Sequence, residues 1–97
     1  MIRHVSVLTF AGSTTDAQVQ AIADALAALP VRISALRAYS FGRDLGLADG
    51  NASFVVVADF DDVAGYAAYR DDPEHQRILA ELIRPVLAAR AAVQYEV

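Results

Sequence analysis

The chain has 97 residues, of which 56% are hydrophobic, a formal net charge of −4 and no cysteine. This length suits one domain over residues 1–97 with a single core, and the lack of thiols excludes disulfides, thiolate catalysis and cysteine-based zinc sites. The arginines form no basic stripe, so we expect no nucleic-acid partner, and no apolar run reaches the roughly 18 residues that would cross a membrane.

The first ten residues, MIRHVSVLTF, alternate in character and lack the basic region and apolar run of a secretory signal, which predicts a cytoplasmic protein. Their β-branched and aromatic side chains predict a first strand over residues 2–10. Thr15 and Gln18 then have the spacing of a capping box, which predicts a helix that ends before Pro30. The apolar stripe of this helix consists of Val19, Ile22, Ala23, Leu26 and Leu29.

Two strands joined by a turn are predicted for the middle of the chain. They cover residues 35–43 and 53–60, and Asp49-Gly50 between them is typical of a tight turn. The segment GRDLG after the second strand lacks the glycine spacing of a dinucleotide-binding loop. With only two histidines in the chain as well, we expect no metal and no cofactor.

A helical region that breaks in two follows the third strand. Asp61 and Asp62 predict the cap of its first part. Asp72 and Pro73 stand in the order of an N-cap and a first helical residue, so a new helix begins there. Its apolar stripe consists of Ile78, Leu79, Leu82 and Ile83. With a last strand over residues 91–97, the order β-α-β-β-α-β predicts an α+β, ferredoxin-like protomer with a four-stranded antiparallel sheet and helices on one side.

The predicted sheet is apolar on both faces. An antiparallel sheet with one solvated face alternates apolar and polar residues, but here Val5 and Val7 lie opposite Ile2 and Leu8, and FVVVA repeats this pattern in the third strand. Leaving about four or five such side chains in water would forgo several kcal/mol at about 25 cal/mol per Å². We therefore predict a homodimer whose two sheets pack face to face into an α+β barrel, with a monomer that exposes an apolar face as the alternative.

The segments IRHVSVLTF, GRDLG, VVVADFDD, YRDDPEHQ and LIRPVLAARAAVQYEV together resemble the dimeric α+β barrel family known as the Dabb, or stress-responsive A/B barrel, domain. The resemblance covers essentially the whole chain. It implies the ferredoxin-like protomer and the face-to-face dimer, and it implies function less sharply. Members include plant stress proteins that are mainly stable assemblies, small antimicrobial proteins, and a plant polyketide cyclase that closes a poly-β-keto chain by aldol chemistry.

In that cyclase a tyrosine and a histidine six residues apart form an acid/base pair, and another histidine on the first strand lines the pocket. The matching positions here are Tyr69, His75 and His4. With Asp72 as N-cap, His75 is the third helical residue, where unpaired N–H groups and the helix dipole favour the neutral ring that a general base requires. Tyr69 would donate its hydroxyl to a developing enolate.

Two features of the sequence oppose this catalytic interpretation. The three carboxylates of DDPE flank His75 and favour its protonated form, and Asp72 occupies a position where familiar members have a histidine. Structural roles are the alternative for all three candidates. The two histidines would satisfy hydrogen bonds, and Tyr69 would be an aromatic residue at the edge of the core with its hydroxyl at the surface. For His4, which we expect to point toward the helices, the predicted partner is His75 or Tyr69.

A ligand pocket is predicted between helices and sheet, lined by the three candidate catalytic residues and by Ser6, Val19, Ile22 and Leu26. Three functions remain open: a dimer that binds a small apolar or aromatic ligand, an enzyme of the cyclase or isomerase kind acting on a β-keto substrate, and a purely structural oligomer. A pocket of about 300 Å³ or more that reaches His75 would favour the first two, and a filled core would favour the third.

Overall fold

A single antiparallel sheet organises the computed structural model, which describes all residues, 1–97. Its strands are β1 (Ile2–Phe10), β2 (Ala38–Arg43), β3 (Phe54–Phe60) and β4 (Leu87–Glu96). Their order across the sheet is β2-β3-β1-β4, so the first and third strands lie in the centre. This arrangement confirms the predicted ferredoxin-like α+β fold.

The helices occupy the two connections that the sequence predicted. They are α1 (Asp16–Ala27), α2 (Leu29–Arg32), α3 (Val63–Asp71) and α4 (Pro73–Ile78). The last helix continues as a π-helical turn over Leu79–Ile83 and a 3₁₀ turn over Arg84–Val86. None of these helices is long and apolar enough to span a bilayer.

The start of α1 is the predicted capping box. The Thr15 hydroxyl accepts a hydrogen bond from the backbone N–H of Gln18 at 3.2 Å, and the Gln18 side-chain oxygen accepts one from the backbone N–H of Thr15 at 2.8 Å. The helix ends at Ala27, before Pro30, as predicted, and Pro30 itself lies in the first turn of the separate short helix α2. A proline is tolerated there because the first turn of a helix has no intrahelical use for its N–H.

The break between α3 and α4 lies where the sequence placed it. A side-chain oxygen of Asp72 accepts hydrogen bonds from the backbone N–H groups of Glu74 at 2.9 Å and His75 at 3.1 Å, and Pro73 is the first residue of α4. The same carboxylate forms an ion pair with Arg32 at 3.0 Å, which ties the break to α2. The cap thereby fixes the direction in which His75 leaves the backbone.

The strand β4 begins four residues earlier than predicted, at Leu87 rather than residue 91. The four added residues, LAAR, have low intrinsic strand propensity, which explains why the sequence pattern missed them. Pairing with β1 overrides this preference, since Arg90 lies opposite Leu8 and Leu87 opposite Phe10.

The two faces of the sheet differ as the alternation in β1 requires. Leu8 points to the helices and belongs to a core that combines both layers, whose largest fully buried members are Phe60, Ile22, Leu26, Leu29 and Ile78. On the opposite face Val5 and Val7 are half-buried, while Val93 on β4 is exposed. The isolated chain thus leaves an apolar sheet face without a covering layer, as the sequence predicted.

We expect the substitution Asp72→Ala to destabilise the fold by about 1–2 kcal/mol, because it removes the cap of two N–H groups. Asp72→Asn keeps a capping oxygen and loses only the partly exposed ion pair with Arg32, so its cost should stay within about 0.5 kcal/mol. Urea unfolding of both variants, with Asp49→Ala on the β2–β3 loop as a charge-matched control, measures the difference. Equal losses from the alanine and asparagine variants would contradict the capping role.

Candidate functional site

A cavity of about 300 Å³ lies between the sheet and the second helical region. The central strands contribute Leu8 and Val56 to its apolar lining, and the π-helical turn contributes Leu79 and Ile83. A cavity of this size, mostly apolar with a few polar groups, is typical of a small-molecule site.

Five of the seven predicted site residues line this cavity: His4, Ser6, Leu26, Tyr69 and His75. Val19 and Ile22 do not. Both are buried in the core on the same helical stripe as Leu26, and the predicted pocket lining does not include them in the structure. Helical periodicity identifies the buried stripe of α1, but it does not indicate which turn of that stripe meets an open space.

His75 is a buried, neutral imidazole with a defined tautomer. Its Nδ1 lies 3.2 Å from the backbone oxygen of Arg70, and because a carbonyl can only accept, Nδ1 carries the proton and donates it. The neutral ring therefore has its lone pair on Nε2. Burial lowers the pKa of His75 below its ordinary value, and this outweighs the Arg70 carbonyl and Asp72, which both favour the charged form.

The carboxylates around His75 are each neutralised by an arginine. Asp71 pairs with Arg70 at 2.8 Å, Asp72 with Arg32 at 3.0 Å, and Glu74 with Arg77 at 2.6 Å. The sequence left open whether these acids would protonate the histidine. The structure favours the neutral ring, because burial opposes the charged form and outweighs the remaining effect of Asp72.

Tyr69 packs directly on His75, with ring centroids 4.1 Å apart, and is 3% exposed. Its hydroxyl lies 3.0 Å from that of Tyr39 on β2. Burial raises the pKa of the Tyr69 hydroxyl, which keeps it a protonated donor. Sequence reasoning missed Tyr39, although its alternation with Ser40 in β2 would have placed it on the helix side of the sheet.

His4 is also buried, but its partner is not the predicted one. The amide Nε2 of Gln94 donates to His4 Nδ1 at 2.8 Å, so the neutral His4 ring carries its proton on Nε2. The two residues lie directly opposite each other on β1 and β4, so the Gln94 side chain starts closer to His4 than the side chains of His75 and Tyr69 on the helices do. Burial lowers the pKa of His4, and the charge of Arg90 and the proximity of His75 lower it further.

We expect the free energy of unfolding to fall as the pH drops below 6.5. Both histidines have a lowered pKa when folded, so the unfolded chain binds protons first, and stability is fully present only above the ordinary pKa of 6.5. The slope should approach about 1.4 kcal/mol per pH unit for each histidine. Urea titrations between about pH 5.5 and 7.5 measure it, since aspartates and glutamates ordinarily titrate below this window. His75→Gln should reduce the slope, and a flat profile for the wild type would contradict buried neutral rings.

Comparison with known proteins identifies a family for this chain and solved structures with the same fold. A family model described as the stress responsive A/B barrel domain, Dabb, matches residues 2–97. No curated protein matches the chain in sequence. A dimeric ferredoxin-like protein of unknown function from Thermobifida fusca is 46% identical, with a TM-score of 0.92 over 99% of this chain and 90% of that one.

More distant structures share the fold alone. A dimeric protein of unknown function with a ferredoxin-like fold from Bacteroides fragilis is 22% identical, with a TM-score of 0.80 over 99% of this chain and 95% of that one. A hydroxynitrile lyase from Passiflora edulis is 16% identical, with a TM-score of 0.85 over 99% of this chain and 92% of that one.

Proposed function

Since the chain belongs to the stress-responsive A/B barrel (Dabb) family, we propose that it acts as a homodimer that binds a small apolar or aromatic ligand between its helices and its sheet. The cavity of about 300 Å³ that reaches His75 carries this proposal. If stability were the only function of the protein, a filled core would be expected, because an empty cavity removes packing contacts and lowers the free energy of unfolding. The open volume therefore favours binding over a purely structural role.

The lining of the cavity indicates the size and polarity of the ligand. Leu8 and Val56 offer an apolar floor for a hydrophobic body. Ser6 lies between His4 and Leu8 on the same face of β1, is 7% exposed and supplies a small polar group. Such a site selects a compact molecule with few polar atoms, whose orientation the histidines and the hydroxyl groups would set.

The uncovered face of the sheet supports the homodimer. Val57, Val5 and Val93 form one row across three strands, and Val55, Val7 and Ala91 form the next row. Leu45 and Leu47 on the β2–β3 loop are more than 80% exposed and extend this apolar surface. A second copy of the chain, related by a twofold axis, presents the same rows and covers them without a further gene product. The 46% identical protein from Thermobifida fusca is described as dimeric.

Cavity binding predicts that N-phenyl-1-naphthylamine, a neutral fluorescent probe, brightens on mixing with the protein. Ser6→Leu fills the cavity from its floor and should weaken the probe's affinity by at least about tenfold, while the fold survives because the added methyl groups enter existing space. Ser13→Leu, an exposed change before α1, is the matched control and should bind as the wild type does. Fluorescence titration with circular dichroism as the folding check would contradict the proposal if Ser6→Leu bound the probe unchanged.

A proton-transfer enzyme of the cyclase or isomerase kind is the second candidate, and the His75–Tyr69 geometry favours it. The lone pair on His75 Nε2 could take a proton from carbon next to a carbonyl, while Tyr69 donates a hydrogen bond to the enolate oxygen that forms. The Tyr39 hydroxyl can donate to that of Tyr69, which leaves the Tyr69 proton available to the ligand. The carbon loses its proton to nitrogen, and the electron pair moves to the carbonyl oxygen.

Deuterium exchange tests this second candidate without knowledge of the natural substrate. The wild type should accelerate exchange of the α-protons of phenylacetone in D₂O, as followed by proton NMR. His75→Gln should lose about 10²–10⁴-fold of that rate, and Tyr69→Phe should lose less because it removes only stabilisation of the enolate. If the wild type exchanges phenylacetone no faster than buffer, while the naphthylamine probe still binds, the site is a binding site alone.

A further inference from the structure

Six of the eight arginines of this protein form ion pairs with carboxylates, and two do not. The chain has eight arginines and no lysine, against twelve acidic residues. Those within 4.0 Å of a carboxylate are Arg3, Arg32, Arg37, Arg43, Arg70 and Arg77. The two that remain, Arg84 and Arg90, have no carboxylate within that distance, and both line the cavity.

Arg84 and Arg90 reach the cavity rim from different elements. Arg84 begins the 3₁₀ turn after the π-helical segment, and Arg90 lies on β4 opposite Leu8, hence on the helix side of the sheet. Both residues are exposed to solvent in the isolated chain. A third arginine at the rim, Arg70, is already engaged by both oxygens of Asp71, at 2.8 and 3.0 Å.

The cavity offers these guanidinium groups no negative charge. No aspartate or glutamate is among the residues that line it, and its two histidines have lowered pKa values through burial. The charge of Arg90 contributes to that lowering at both rings, so its field acts across the cavity. Two unpaired cations at the mouth of an apolar pocket concentrate anions there and leave a cationic ligand without a partner.

We propose that the ligand is a small organic acid, whose apolar or aromatic body lies over Leu8 and Val56 and whose carboxylate lies at the rim between Arg84 and Arg90. This inference rests on the proposed binding function of the cavity. Guanidinium groups match a carboxylate in charge and in planar, two-point geometry, and they remain charged at all physiological pH values. The neutral interior and the cationic rim together select an amphipathic acid over a neutral hydrocarbon or an amine.

A matched ligand pair tests the proposal: 2-naphthoate and 2-naphthamide share one aromatic body and differ in charge. Isothermal titration calorimetry at low ionic strength should show naphthoate binding about tenfold more tightly to the wild type, with the preference shrinking at high salt. The double variant Arg84→Gln/Arg90→Gln should bind naphthoate as weakly as naphthamide, with naphthamide unchanged. Arg43→Gln, which removes an ion-paired arginine that does not line the cavity, should leave both affinities as in the wild type.

Different results would overturn the organic-acid proposal alone or the binding function as a whole. If the wild type binds both compounds equally, or if the naphthoate preference survives in the double variant, the cavity is a neutral site and the organic-acid proposal is wrong. If neither compound binds and the naphthylamine probe fails as well, the binding function itself is overturned, and the organic-acid proposal with it.

Discussion

The alternation of side chains along β1 determines both faces of the sheet. Successive side chains of a strand point to opposite faces, so His4 and Ser6 enter the helix side while Val5 and Val7 face the other way. A slip of one residue in register would exchange the two sets. Pairing with β3 and β4 on both sides fixes that register, which places the polar residues over the cavity and the valines on the open face.

The chemistry of the cavity follows from the way the helical region is broken. If α3 and α4 were one continuous helix, the six-residue separation of Tyr69 and His75 would not place the two side chains on one face, because helical neighbours lie three or four residues apart. The cap at Asp72 turns the chain, so that the rings pack 4.1 Å apart. The surrounding acids are paired with Arg32, Arg70 and Arg77, and burial then determines the charge of the histidine. A site made of neutral bases and protonated hydroxyls results, in a chain whose net charge is negative.

Helix caps and helix breaks, which depend on neighbouring residues, could be predicted from the sequence. Side-chain partners and strand ends that depend on pairing between distant strands could not. The capping box at Thr15 and the break at Asp72 each depend on residues within three positions of one another, and both were predicted correctly. The Gln94 partner of His4 and the early start of β4 depend on the register between strands some 90 residues apart. The pairing of six arginines, which isolates Arg84 and Arg90, is a property of the whole surface and has no periodic signature.

We propose that the open face of the sheet is an interface between two copies of the chain. Isotope-filtered NMR on an equal mixture of ¹³C-labelled and unlabelled protein tests it most directly, because only contacts between copies are detected. If two sheets pack face to face, we expect cross-chain NOEs among the methyl groups of Val5, Val57 and Val93. An absence of cross-chain NOEs at micromolar to millimolar concentration, or NOEs that arise only from the outer surface of α1, would contradict it.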